Sequence, residues 1–372
     1  MTDTRTRSSA STGNRAAAEV LRGLGDIRSD LEDIYEDLHA HPELSHQEHR
    51  TAGKVADRLR SWGYETHTGV GGTGVVGVLH NGEGPVVLLR ADMDALPVKE
   101  DTGLPYASTV TVQDASGTTV PVAHACGHDM HVTCLLGAVR LLSERTGSWA
   151  GTLVALFQPA EETGNGAGAM VDGGLADLVP KPDVALAQHV LPYPAGYVGT
   201  RSGPFLSAAD TLRVTLHGRG AHGSAPQAAV DPVVMAAMTV VRLQTIVSRE
   251  LAATTPGVLT VGAINSGTSG NVIPDTAEIQ LNVRTYDDGT RQHVLGSVRR
   301  IVRAECEASE ATGEPEFEEI SRFPPTVNDA CVTERVSKAF AAHFDGADTI
   351  DLQTASEDFS DIPHALGTPF TY

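Results

Sequence analysis

Three short apolar runs, residues 86–89, 152–157 and 184–187, each lead into a cluster of polar side chains: Asp92 and Asp94, Glu161 and Glu162, and His189. Continuous apolar runs of this length read as buried strands, and in an open α/β sheet ligands gather outside the carboxyl ends of the strands. Between the first two runs, residues 124–131 pack His124, Cys126, His128, Asp129 and His131 into eight positions. Thiolate and imidazole are preferred donors for zinc and similar divalent ions, and the alternate spacing of Cys126 and His128 lets both face one point from a tight turn. Gly127 between them removes a side chain where the backbone must come close to something.

Taken singly, each of these residues has an ordinary structural reading as a cap, a core thiol or a packed imidazole. Their convergence carries the argument. Adjacent carboxylates at a strand end repel unless a cation neutralises one. A thiolate, two imidazoles and a carboxylate with further acids nearby suit a two-ion site better than a closed structural zinc site, which contains more cysteine and no free acid. Cys126 precedes a helix expected over residues 132–142, whose dipole, like a metal, would lower the thiol pKa. Cys134, one turn into that helix, reads as core packing.

The chain has 372 residues and no apolar run long enough to span a bilayer, so two domains are expected. A net charge of -20 repels phosphate backbones and anionic membranes, which argues against nucleic-acid and membrane partners. Four scattered cysteines and a start without a basic-then-apolar leader point to a reducing cytoplasm. Residues 1–18 read as a flexible tail. Helices are expected at about 17–38 and 47–62, separated by Pro42, and at 332–344. In between, strand 212–216, helix 231–247, strands 258–264 and 278–283, helix 292–305 and strand 317–320 follow the β-α-β-β-α-β order of the ferredoxin-like split unit. Residues 206–321 thus form an α+β domain inserted between 19–205 and 322–372. His222, flanked by Gly220 and Gly223, is expected to be exposed. A domain closing over a metal site could bring such a donor to an oxyanion, whereas Asn271 and Arg284 are compatible with ordinary turn and strand-end chemistry.

The motifs His41-Pro42-Glu43-Leu44, Asp92-Met93-Asp94-Ala95-Leu96-Pro97, His124-Ala125-Cys126-Gly127-His128-Asp129, Gln158-Pro159-Ala160-Glu161-Glu162, Gly218-Arg219-Gly220-Ala221-His222, Asn271-Val272-Ile273-Pro274-Asp275 and Ser356-Glu357-Asp358-Phe359 occur in this order. Together they resemble the amidohydrolase branch of the di-metal aminoacylase and carboxypeptidase superfamily, the group of hippurate hydrolase and the indoleacetyl-amino-acid hydrolases. The resemblance implies an α/β, zinc-peptidase-like catalytic domain with a mixed central sheet flanked by helices. It also implies an inserted ferredoxin-like α+β lid or dimerisation domain. Two divalent ions per subunit, Mn2+ or Zn2+, would be held by Cys126, His128, Glu162 and His189. Glu161 would be the general base, and His222 would stabilise the oxyanion across a homodimer. Asn271 and Arg284 would hold the substrate and its carboxylate. The implied reaction splits an N-acyl amino acid into a carboxylic acid and a free amino acid. The alternatives are a dipeptidase or carboxypeptidase on the same centre and a non-catalytic dimeric binding protein; Cys126 paired with His128 tilts the reading to the amidohydrolase. A last histidine ligand is also implied near the C-terminus. The sequence reaches Tyr372 without a matching segment, and His364 stands in the wrong context. Two expectations follow, a piece of a longer protein or a shortened one with a weaker second metal site.

Overall fold

All eight residues of Gly151–Gln158 are buried, as an uninterrupted apolar run demands when both faces of a strand are covered. In the computed structural model, which describes residues 15–113, 117–344 and 347–372, this strand lies inside a six-stranded mixed sheet. The first strands are β1 (Glu65–Val70), β2 (Gly74–Asn81), β3 (Val86–Asp92), β4 (Gly151–Gln158) and β5 (Val184–Leu186). Their order across the sheet is β1-β2-β4-β3-β5, with Phe370–Thr371 beyond β5. β1, β2 and β4 pair antiparallel, whereas β4, β3, β5 and the last strand run parallel. Val86 is opposite Thr152 and Asp92 opposite Gln158. That register brings the carboxyl ends of β3 and β4 to one edge, so the polar clusters that follow them become neighbours.

Helices α1 (Leu24–Ala40), α2 (His49–Ser61) and α3 (His128–Glu144) supply Ile34 and Leu38, Val55 and Leu59, and Val132, Leu136 and Val139 to one core cluster with Ala155 and Phe157 of β4. Glu43 caps α2: its two carboxylate oxygens accept the Arg50 and Thr51 N–H groups at 2.9 and 2.8 Å, where the helix dipole favours negative charge. The helix expected over 17–38 is broken. Residues 15–21 are helical, a turn follows, and α1 starts after Gly23, where a Cβ would come within 3.0 Å of Leu141. Residues 15–18 are therefore helix rather than tail, while residues 1–14 lie outside the described residues. β1 has no apolar run to announce it; it is a polar edge strand paired only with β2. Cys134 is exposed, not part of the core. No helix among the described residues is long and apolar enough to cross a membrane.

The chain divides into two compact units. One holds the chain up to Thr200 with Asn328–Thr349 and Asp358–Tyr372; the other holds Arg201–Val327 and Ile350–Glu357. The second unit therefore begins a few residues earlier and ends later than residues 206–321, and a short later segment returns to it. Its strands β6 (Ala208–His217), β7 (Gly257–Asn265), β8 (Thr276–Thr285) and β9 (Glu316–Phe323) form an antiparallel sheet in the order β7-β8-β6-β9. With helices α4 (Pro232–Thr245) and α5 (Asp288–Ala308), this is the ferredoxin-like arrangement. Leu212, Val214 and Leu216 alternate with polar residues along β6 and pack with Met235 and Leu243 of α4 and Val298 and Ile301 of α5. The far side of α4 is also apolar, with Val234, Met238 and Val241 exposed by 57, 52 and 67%. Apolar residues on both faces of a helix are unusual for a surface helix.

Candidate metal centre

The turn before α3 is built around a close approach. Gly127 is left-handed at φ 80, and a Cβ there would lie 2.5 Å from Val190 Cγ2. The missing side chain lets the segment after β5 lie against the turn, so the donor atoms of Cys126, His128 and His189 fall within 4.8 Å of one another. The donor atoms of His128, Glu161 and Glu162 meet the same limit, as do those of His128, Asp92 and His131. His128 is fully buried and common to these three groups, whereas a fourth, of Glu161, Glu357 and Asp358, lacks it.

The second nitrogen of each imidazole decides its role. His189 donates from Nδ1 to the Val190 carbonyl at 2.6 Å, which leaves Nε2 as a lone-pair donor. His128 turns Nδ1 towards Asp94 Oδ1 at 3.3 Å, while Nε2 faces Asp92, Glu162 and Glu161 at 3.5, 3.9 and 4.0 Å. His131 has neither nitrogen to spare. Its Nδ1–H donates to Asp92 Oδ1 at 2.6 Å and its Nε2 accepts the Val190 N–H at 2.9 Å. It is a strut that fixes the backbone next to His189, not a ligand. Asp129 likewise serves the scaffold, bonding His39 Nδ1 and accepting the Met130 N–H.

The electrostatics are those of a cation site. Burial opposes a charged His128, yet Asp92, Asp94 and Glu162 push its pKa up to about 9. Burial and the neighbouring Glu162 carboxylate push the Cys126 thiol up to about 12. The lowering of the thiol pKa expected from the sequence is not present in the metal-free chain, because burial, and after it the surrounding acids, disfavour the thiolate; an adjacent cation would favour it. Despite burial, Arg90, His128 and His131 hold the Asp92 carboxyl well below the usual range. His128 Nε2 and Glu162 Oε1 are buried without a hydrogen-bond partner. Orphaned donor atoms beside a thiol and several acids fit divalent ions, which would satisfy them and neutralise the surplus charge.

Arg90 was not singled out in the sequence, and Gln158 and Asp358 entered it only as members of motifs. Fully buried Arg90 donates to Gln158 Oε1 and Asp92 Oδ2, both at 2.8 Å. Asp358 accepts the Gln158 side-chain amide and the Ala167 N–H. A lone arginine inside an apolar run was the available signal, since a buried guanidinium requires carboxylates. Of the other expected site residues, His222 lies on a small two-stranded ribbon of the second unit and Asn271 directly precedes its other strand, Val272–Ile273, where the Asn271 carbonyl accepts the Gly223 N–H. Arg284 is half-buried in that unit and donates to the Thr354 carbonyl, Ser356 Oγ and Asn282 Oδ1.

The sequence pattern of peptidase family M20/M25/M40 matches residues 88–372. The chain belongs to this family. It is 38% identical over 355 residues to thermostable carboxypeptidase 1 of Saccharolobus solfataricus, covering 93% of this chain and 86% of the relative. It is also 38% identical over 289 residues to hippurate hydrolase of Campylobacter jejuni, covering 77 and 72%. A solved structure of a dinuclear metal-binding M20 peptidase from Bacillus subtilis superposes with a TM-score of 0.75 at 30% identity, covering 93% of this chain and 88% of that one. As an M20 family member with this donor set, the protein is a metal-dependent hydrolase of amide bonds.

Metal binding has a direct thermodynamic consequence. A divalent ion supplied at about a hundred times its Kd should stabilise the folded chain by about 2.7 kcal/mol, read as a rise in Tm. The rise should be lost in His128→Ala, whose imidazole belongs to three of the four donor groups found among the described residues; an equal rise in that variant would count against the centre.

Proposed function

We propose that the protein hydrolyses N-acyl amino acids to a carboxylic acid and a free amino acid, with two divalent ions per subunit, Mn2+ or Zn2+, as cofactors. The observation that carries the reading is the convergence of Cys126, His128 and His189 beside the Glu161 and Glu162 pair. We assign Cys126, His128, Glu162 and His189 as ligands. When bound, the ions would polarise the scissile carbonyl and lower the pKa of the attacking water. Glu161, only 6% exposed, would take that water's proton and hand it to the leaving nitrogen. His222 is assigned to the developing oxyanion; its Nδ1 accepts the Ser224 N–H at 3.1 Å, so its Nε2–H is the free donor. Asn271 and Arg284 are assigned to the substrate and its carboxylate. For Arg284 this requires giving up part of its present bonding to Thr354 and Ser356.

A second reading, a carboxypeptidase or dipeptidase on the same centre, has the name of the S. solfataricus relative behind it. A thiol in the donor set favours the first, as do the names of the hippurate hydrolase of C. jejuni and the N-acetyl-L-cysteine deacetylase of Bacillus subtilis. The test is a panel of hippurate and other acylated amino acids against free dipeptides, with Mn2+ or Zn2+ and after chelation. Acylated substrates should be cleaved and chelation should stop turnover; cleavage of free dipeptides alone would favour the second reading. Glu161→Gln should lower kcat by about a thousandfold while leaving metal content unchanged. Retained turnover in that variant would remove Glu161 from the role.

We also propose a homodimer through the second unit, supported by the exposed apolar side of α4 and by Val258 and Ile264 on the adjoining edge strand β7, which are exposed by 49 and 48%. Val241→Asp should convert the dimer to monomer in sedimentation. A wild-type chain that is already monomeric at tens of micromolar would contradict the proposal.

A further inference from the structure

We infer that Glu48 is a positioning residue that holds a left-handed turn at Ala160 and thereby aims the Glu161 and Glu162 carboxylates. The roles of those two acids rest on the metal-hydrolase reading above. Among the described residues, three other than glycine have a positive φ: His46 at 64, Ala160 at 51 and Glu310 at 54. Left-handed backbone is strained for a residue with a Cβ and persists only where the surroundings enforce it. Two of the three give their N–H to the same atom. Glu48 Oε1 accepts the Ala160 N–H at 2.8 Å and the His46 N–H at 3.0 Å, while Oε2 accepts the Thr73 hydroxyl at 2.5 Å.

Both Glu48 and Ala160 are fully buried, so without this carboxylate the Ala160 N–H would be stranded in the interior. Glu48 stands directly before α2, where an acid ordinarily caps the helix. Glu43 does the capping instead and leaves Glu48 to reach the 158–166 turn. Two further contacts hold that turn from other sides. Gly166 donates to the Ala160 carbonyl at 3.2 Å, and a Cβ at Gly166 would lie 1.7 Å from the Pro159 carbonyl oxygen. Asp94 Oδ2 accepts the Glu162 N–H at 3.0 Å and the Ser45 hydroxyl at 2.7 Å. Relaxing Ala160 to extended backbone would rotate the peptide that leads into Glu161. A displacement of about 1 Å of such a group can cost about a hundredfold in rate.

The experiment compares wild type, Glu48→Gln, Glu48→Ala and Glu48→Ala/Ala160→Gly by calorimetric titration with Mn2+, and by kcat on whichever amide the wild type cleaves. Glu48→Gln keeps a carbonyl acceptor for both N–H groups and should stay near wild type. Glu48→Ala should weaken Mn2+ binding by roughly tenfold or more. Adding Ala160→Gly should recover most of the loss, because glycine adopts the left-handed turn without enforcement. Wild-type affinity in Glu48→Ala, or a folded double variant with no recovery, would overturn the inference. Should Glu48→Ala fail to fold, Ala160→Val tests it with Glu48 in place: a β-branched residue in the turn should lose Mn2+ affinity, and wild-type binding would overturn the inference. The affinity order needs no substrate. A wild type that binds Mn2+ but cleaves no acylated amino acid would sink the proposed function while leaving this test intact.

Discussion

Mutual repulsion among Asp92, Asp94, Glu161 and Glu162 at one end of the catalytic-domain sheet is the interaction on which the rest of the site depends. The register of β3 against β4 fixes their proximity, with Asp92 opposite Gln158, and the buried strands leave little water to screen them. Two like charges about 4 Å apart repel by about 4 kcal/mol at an effective dielectric constant of about 20. The chain compensates part of this itself. Arg90 is spent on Asp92 and Gln158, His131 on Asp92, and a positively charged His128 on Asp92 and Asp94. His128 also faces Glu162, which lies beside a thiol that burial and acids keep protonated, the charge state a divalent ion would reverse.

Ligand and scaffold roles within the compact 124–131 motif separate by what each side chain already holds. His131 and Asp129 are consumed by neighbours, His189 is fixed by its own adjoining carbonyl, and His128 and Cys126 are left facing the acids. The carboxylates of Glu43 and Glu48, five residues apart, divide in the same manner: one stabilises a helix end, the other a strained turn. Precision at the centre therefore comes from residues that would never touch an ion.

Much of this was legible in the sequence because it depends on local pattern. Uninterrupted apolar runs gave buried strands, their polar ends gave neighbouring clusters, and the β-α-β-β-α-β order of elements marked the ferredoxin-like unit. What escaped depends on partners far away in the chain. Glu48 meets Ala160 across 112 positions and Gln158 meets Asp358 across 200, and neither pairing leaves a periodic trace. β1 escaped because an edge strand needs no apolar run, and the break before α1 because Gly23 answers to Leu141 rather than to helix periodicity. For the Cys126 thiol the sequence shows the helix that follows, but not the burial and encircling acids that raise its pKa in the metal-free chain.

The central claim is that Cys126, His128, Glu162 and His189 hold divalent ions in one mixed sulfur, nitrogen and oxygen site. X-ray absorption on the zinc-loaded protein, with elemental analysis, tests it most directly. The account predicts two zinc ions per chain and a sulfur scatterer at about 2.3 Å that disappears in Cys126→Ser. Less than one tightly bound ion per chain, or a shell of nitrogen and oxygen alone in the wild type, would contradict it.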